Sequence, residues 1–244
     1  MTTPDLKRQP PQVLEDLRHT CTASVVTSLI NRGLRRQSMV GVRCLTPGVL
    51  MIGHAVTLRY VPLREDILAE QRRDPNRPTL IAQVLDRLEP TDVLVVEAGG
   101  DDRGGIVGDV LMTRLKVRGA QGFVTDGALR DYPLIKDFGI GLFAGHVNAN
   151  PSVVSIMPLE AHVPVGCGGT LVLPGDVVVG DDDGVVVIPA HLAAEVAREA
   201  REREGLEAWI RGALEEERCD VAKYYPPTEA ARQGYAAWRK QRGE

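Results

Sequence analysis

A chain of 244 residues that is 43% hydrophobic and 25% charged has the make-up of one ordinary globular domain with flanking segments. Its net charge of -4 and its 4% aromatic content supply neither a basic footprint nor stacking platforms, which argues against nucleic acid as the main ligand. No apolar run is long enough to span a bilayer, the N-terminus has no signal-peptide core, and the four cysteines (Cys21, Cys44, Cys167, Cys219) form no CxxC pair, as in a reduced cytoplasmic protein.

Taken in order, residues 1–11 carry Pro4, Pro10 and Pro11 and read as a mobile tail. A single α/β domain is expected over 12–222, and a C-terminal tail over 223–244. A helix is expected from Gln12 to Arg18, and a second after the cap candidates Thr22 and Ser24, stopping at Gly33. Residues 49–61 read as a strand in which Val56, Leu58 and Tyr60 share a face. His54 within it reads as a structural histidine. The charged, proline-bounded stretch 62–78 reads as a solvated loop with a short helix. Its alternative is a lid that brings Arg64, Glu65 or Asp66 to a site. A helix over Leu80–Leu88 follows.

Residues 93–131 then organise the chain. An apolar strand (Val93 to Val96) leads into a loop rich in glycine and aspartate, a helix from Gly105 to Val117, and a second strand (Gly122 to Thr125). A sharp turn through Asp126–Leu129 delivers Arg130 and Asp131 side by side. This is a βαβ unit, whose two strands release the chain at one edge of the sheet, where ligands tend to sit. Asp109 near the helix start and the Arg130-Asp131 pair therefore converge.

Beyond this unit, Pro133 fits the first turn of a short helix, 140–145 reads as a strand, and 151–187 is strand-rich. The run Asp181-Asp182-Asp183-Gly184 lacks the ligand spacing of a calcium loop and reads as a hairpin turn. His191 to Arg218 is a charged helix with many Glu–Arg pairs.

The run GGIVGDVL (104–111) places glycines at a helix N-terminus, where free amides and the macrodipole favour an anion. It is neither a Walker A motif nor GxGxxG, so a small carboxylate fits better than a nucleotide, gripped from the other side by Arg130. Asp131 is either that arginine's surface ion-pair partner or a ligand for a hard divalent cation through one carboxylate plus waters.

The spacing Asp109-x20-Arg130-Asp131, set in EAGGDDRGGIVGDVLMTRLKVRGAQGFVTDGALRD, resembles the RraA-like family. That family joins regulators of ribonuclease activity A to class II pyruvate aldolases such as 4-hydroxy-4-methyl-2-oxoglutarate aldolase. TASVVTSLINRG, MIGHAVTLRY and VPVGCGGTLVLPGDVVVGDDDGVVVIP extend the resemblance over most of residues 20–190. RYVPLREDI and the YYPP ending look like a longer subgroup associated with sugar-acid catabolism.

The resemblance implies a β/β/α fold of the phosphohistidine swivelling-domain type, with helices at both ends. It implies a homo-oligomer, a trimer or dimer of trimers, with sites at subunit boundaries. Gly108, Asp109, Val110 and Leu111 correspond to a substrate-binding segment, Arg130 to a substrate-binding and catalytic arginine, Asp109 to a second catalytic residue, and Asp131 to a metal ligand. The implied cofactor is a divalent cation, magnesium or else manganese. The implied reaction is retro-aldol cleavage of a 4-hydroxy-2-oxo acid to pyruvate, with oxaloacetate decarboxylation as a side activity. The alternative is a non-catalytic protein that binds a ribonuclease.

Overall fold

The computed structural model describes residues 6–243. Two helices open the chain, α1 (Pro11–Leu17) and α2 (Thr22–Asn31), followed by the short β1 (Arg43–Cys44) and the long β2 (Met51–Pro62). Helices α3 (Glu65–Gln71) and α4 (Leu80–Leu85) lead to β3 (Asp92–Glu97), α5 (Asp109–Val117) and β4 (Gly122–Leu129). Then come α6 (Tyr132–Ile135), β5 (Gly141–Val147), β6 (Ile156–Ala161), β7 (Val165–Cys167) and β8 (Thr170–Val172). The chain closes with β9 (Val177–Asp181), β10 (Gly184–Ile188), α7 (Ala193–Glu217) and α8 (Glu229–Arg242). Among the described residues no helix is long and apolar enough to cross a membrane.

One sheet runs β1-β5-β4-β3-β2-β9-β10, with β6 paired to the far half of β2. Strands β2, β3, β4 and β5 are parallel to one another, and the remaining pairings are antiparallel. The sheet curls into a nearly closed, barrel-like form. Residues of opposite parity fill opposite faces, as the period of two in a strand requires. Met51, Ala55, Val93, Val95, Val124 and Phe143 point inwards, where the β7-β8 hairpin adds Val165, Cys167 and Val172. Val56, Leu58, Leu94, Val96, Phe123 and Leu142 point outwards beneath α4, α5 and α6. On the outer face of β9 and β10, Val177, Val179, Val186 and Ile188 pack under α1, α2 and α7.

The βαβ unit and the shared face of Val56, Leu58 and Tyr60 are as the sequence indicates. So is the hairpin turn, where Asp181 pairs with Gly184. The stretch 62–78 holds a helix with no buried residue, and Arg64 is paired with Asp66 at its start.

Three boundaries differ. The expected turn at 126–129 is strand, because β4 bulges between Thr125 and Ala128 and then resumes its pairing with β5. Thr22 lies inside α2 rather than capping it, since its hydroxyl and amide both donate to the Asp181 carboxylate. The C-terminal tail, expected as helical or frayed, takes the helical form as α8 and is packed into the body rather than trailing, seated on α7 through Trp209, Tyr224 and Tyr235.

The expected N-terminal tail differs as well, residues 1–5 lying outside the described residues. From Arg8 onward the segment is docked. The Arg8 guanidinium grips the buried Asp92 carboxylate with two bonds of 3.1 Å, and the Gln9 amide donates to His54 Nε2 at 2.9 Å. His54 is 1% exposed, and its Nδ1 lies 3.2 Å from both the carbonyl and the hydroxyl of Thr91. A neutral ring protonated at Nδ1 satisfies all of these contacts.

Burial pushes the His54 imidazole below its ordinary range. A folded value depressed below the unfolded one (about 6.5) gives a contribution present above that value and lost as pH falls through the folded value. Urea denaturation should therefore show wild type losing more stability between about pH 7 and about pH 5 than His54→Gln does. Equal losses would remove His54 from the acid response.

Candidate active site

Gly104 to Val107 do not begin the helix, contrary to the expected start at Gly105. They run beside the C-terminal end of β4, with Gly105 bridged to Ala128 on one side and to Pro151 on the other. The Ile106 amide donates to the Ala128 carbonyl and the Arg130 amide to that of Val107, each at 2.9 Å. Across the other edge, the Gly105 amide donates to Asn150 at 2.8 Å and the Ser152 amide to Gly105 at 3.0 Å. Two backbones this close leave no room for a side chain. A Cβ at Gly105 would stand 2.7 Å from both the amide nitrogen and the Cβ of Arg130.

This pairing brings the start of α5 against residues 130–131. Gly108 is the N-cap, extended and without a side chain to cap the helix. Asp131 supplies the missing acceptor from the other strand: its Oδ2 takes the Asp109 amide at 3.3 Å and the Arg130 Nε at 3.1 Å. A Cβ on Gly108 would run into that same oxygen. Asp131 itself is left-handed (φ 56°, ψ 28°), a conformation aspartate tolerates better than most residues. The Asp109 Oδ1 accepts the Val110 amide at 2.8 Å.

Asp109, Arg130 and Asp131 thus do converge, but the first two amides of the helix are engaged by the chain's own carboxylates. The Leu111 amide is the one in this turn that neither carboxylate takes. The Val110 side chain is 75% exposed, while that of Leu111 packs on the outer core. Arg130 uses only Nε in its bond to Asp131, and among the described residues its two Nη groups meet no acceptor.

Among the described residues no group of three or more histidine, cysteine or acidic side chains gathers to hold a metal. What the site offers a cation is Asp131, whose Oδ2 is committed to two N–H donors and whose Oδ1 shares neither bond. That donor set fits a hard, largely hydrated ion such as magnesium.

Two open clefts flank the nearby Gly99-Gly100 turn. One, of about 700 Å³, is lined by Arg35, Arg36, Asp126 and His146, and the other, of about 540 Å³, by Arg59, Glu97, Asp101 and Arg103. Asp126 anchors the turn by accepting the Ala98 amide at 2.7 Å, and its burial raises its carboxyl pKa. The Arg103 guanidinium holds Asp101 below the usual carboxylate range, and Ser155 donates to Asp101 at 2.8 Å. Glu97, Asp101, Arg103 and Asp126 belong to the strand–loop–helix unit, whereas Arg35, Arg36, Arg59 and His146 lie outside it and no spacing in the sequence marks them. Gly108–Leu111, Arg130 and Asp131 line neither cleft.

The profile of the RraA-like family, described as Aldolase/RraA, matches residues 22–187. A Halalkalibacterium halodurans protein, provisionally named a 4-hydroxy-4-methyl-2-oxoglutarate aldolase, is 35% identical over 125 residues. The match takes in 51% of this chain and 59% of that relative, so the chain spans less than two thirds of its length. Streptomyces coelicolor RraAS2, an unusual member of the RNase ES inhibitor RraA protein family, has a similar structure with a TM-score of 0.76 and 34% identity. The similarity covers 84% of this chain and 98% of that one. An uncharacterized Pseudomonas syringae pv. tomato protein superposes with a TM-score of 0.77 at 25% identity, covering 89% and 98% of the two chains. A mixed α/β fold with a nearly closed sheet and helices is common to this chain and these structures.

The close pairing at Gly105 yields a test. Gly105→Ala should lose about 1–3 kcal/mol of stability in urea denaturation, the usual scale of overpacking. An unchanged midpoint would mean that the strand beside β4 yields without cost.

Proposed function

Because the chain belongs to the RraA-like, Aldolase/RraA family, we propose that it is a lyase cleaving a 4-hydroxy-2-oxo acid to pyruvate and a carbonyl compound. The observation that carries this reading is the meeting of Arg130 with the Asp131 carboxylate, which also takes the Asp109 amide, at the start of α5. Similarity to the provisionally named aldolase of Halalkalibacterium halodurans supports it.

In the proposed reaction the C4 hydroxyl loses its proton and the C3–C4 bond breaks. Its electron pair moves to give the enolate of pyruvate, which is then protonated at C3. Asp109 is the group we assign to accept the hydroxyl proton. The planar Arg130 guanidinium, with its Nη groups available, binds the substrate carboxylate and stabilises the developing oxyanion. The backbone of Gly108–Leu111 orients the same end of the substrate. A divalent cation held by Asp131, magnesium or manganese, would supply Lewis-acid stabilisation of the 2-oxo oxygen. Oxaloacetate decarboxylation passes through the same enolate and is expected as a side activity.

The site stands at an open sheet edge, which supports completion by a second copy in a homo-oligomer, a trimer or a dimer of trimers. The likeness to Streptomyces coelicolor RraAS2 favours one second reading, a surface that binds a ribonuclease without chemistry. Pyruvate release from a panel of 4-hydroxy-2-oxo acids, with and without magnesium, separates the two. Turnover is expected with at least one acid, and none with any acid would leave the binding reading.

Asp131→Ala should abolish metal-dependent turnover while the protein stays folded, since one lost helix cap costs about 0.5–2 kcal/mol. Wild-type turnover by the variant after chelation and magnesium add-back would refute the metal assignment. Arg130→Lys keeps the charge but loses the planar fork. It should raise KM and lower kcat together, with kcat/KM reduced on the order of a hundredfold or more. A rise in KM alone would restrict Arg130 to ground-state binding, and near-normal kinetics would leave it as an ion-pair partner of Asp131.

A further inference from the structure

The larger cleft is built from the inner side of the sheet, away from α5. Its walls are the segment around Arg35 and Arg36, the Gly99-Gly100 turn after β3, His146 near the end of β5, and the Gly168-Gly169 turn of the β7-β8 hairpin. The C-terminal ends of parallel strands are where small ligands are commonly held. A volume of about 700 Å³ suits a small molecule.

Three features indicate what that molecule is. Arg35 and Arg36 are exposed, and among the described residues neither meets a carboxylate, although most arginines of this chain are paired. Their segment is also fixed rather than trailing. The Gln37 carbonyl accepts the Val187 amide at 2.8 Å, the Met39 amide donates to Val185 at 2.9 Å, and the Val40 amide donates to Gly168 at 2.8 Å. The facing turns are left-handed glycines, with φ of 63° and 74° at Gly99 and Gly100 and 54° and 73° at Gly168 and Gly169. They bring bare backbone to the cleft wall. Two guanidiniums beside a fixed backbone segment, neither paired with a carboxylate, call for an anion. Asp126 and His146 beside them offer an acceptor and a second polar group for a hydroxyl.

We propose that this cleft is a second ligand site, taking a small anion that carries a phosphate or carboxylate group next to a hydroxyl. It is distinct from the site at α5 and does not depend on the reaction assigned there.

The test is calorimetric titration of the full chain with glycerol 3-phosphate and, separately, with glycerate, each against sodium chloride of matched ionic strength. Saturable binding of at least one is expected, and the tighter of the two identifies the anionic group. Arg35→Glu/Arg36→Glu should weaken it at least tenfold, and Arg130→Lys should leave it unchanged. The milder Arg35→Gln/Arg36→Gln and His146→Ala should each weaken it, which covers the case of a misfolded charge reversal. Heats no larger than those of sodium chloride would overturn the proposal. So would binding that survives the Arg35/Arg36 substitutions, or binding lost in Arg130→Lys, which places the anion at α5.

Discussion

The backbone pairing of residues 105–107 with 128–130 is the constraint on which the site depends. It lays an extra segment along the end of β4, so that the chain reaches α5 already in register with Arg130 and Asp131. Backbone hydrogen bonds fix that register to within a fraction of an ångström, which no long side chain does alone. Glycine at 105 permits the approach on one side, and glycine at 108 leaves space for the Asp131 carboxylate on the other. Asp131 then serves as the helix cap that Gly108 lacks. A carboxylate at a helix N-terminus is favoured by the macrodipole, so this contact stabilises the helix and orients the acid at once.

The framework around that pairing was legible in the sequence because it follows from local periodicity. Val93 to Val96 and Val177 to Val179 are apolar on both faces, as strands buried on both faces must be, and they lie between two packed layers. Pro133 sits in the first turn of α6 because its missing amide hydrogen is not needed there. The misread segments are those where local preference opposes distant pairing. Asp126-Gly127 carries strong turn chemistry, yet the ladder with β5 extends it as a bulged strand. Gly104-Gly105 reads as the start of a helix, yet bridges from Gly105 to Ala128 and to Pro151 hold it beside β4 instead. The docking of Arg8 on Asp92 joins residues 84 positions apart, and no window of sequence contains both.

The site was legible in a narrower sense. The βαβ logic brings Asp109 to Arg130-Asp131, and the distances agree. What the sequence did not convey is that the two carboxylates occupy the first amides of α5, leaving an incoming anion chiefly the Leu111 amide and the Arg130 Nη groups. Nor did it convey the second cluster of charge. Arg35 and Arg36 reach the same sheet edge only through the pairing of residues 37–40 with β10 and Gly168, a contact with no sequence signature.

The Gly99-Gly100 turn, anchored by Asp126, borders the cleft of Arg35 and Arg36 at this sheet edge. Outward of the sheet, Arg130 at the α5 site is answered by Asp131, which also takes the Asp109 amide, and the Asp109 carboxylate is in excess. Inward of it, two guanidiniums have no such answer. A cluster with a carboxylate in excess suits a ligand that brings a cation with it, whereas a pair of arginines without a carboxylate partner favours an anion alone. The same edge therefore presents two electrostatic environments. Asp126, half-buried and holding the Gly99-Gly100 turn by the Ala98 amide, belongs to the inward of the two.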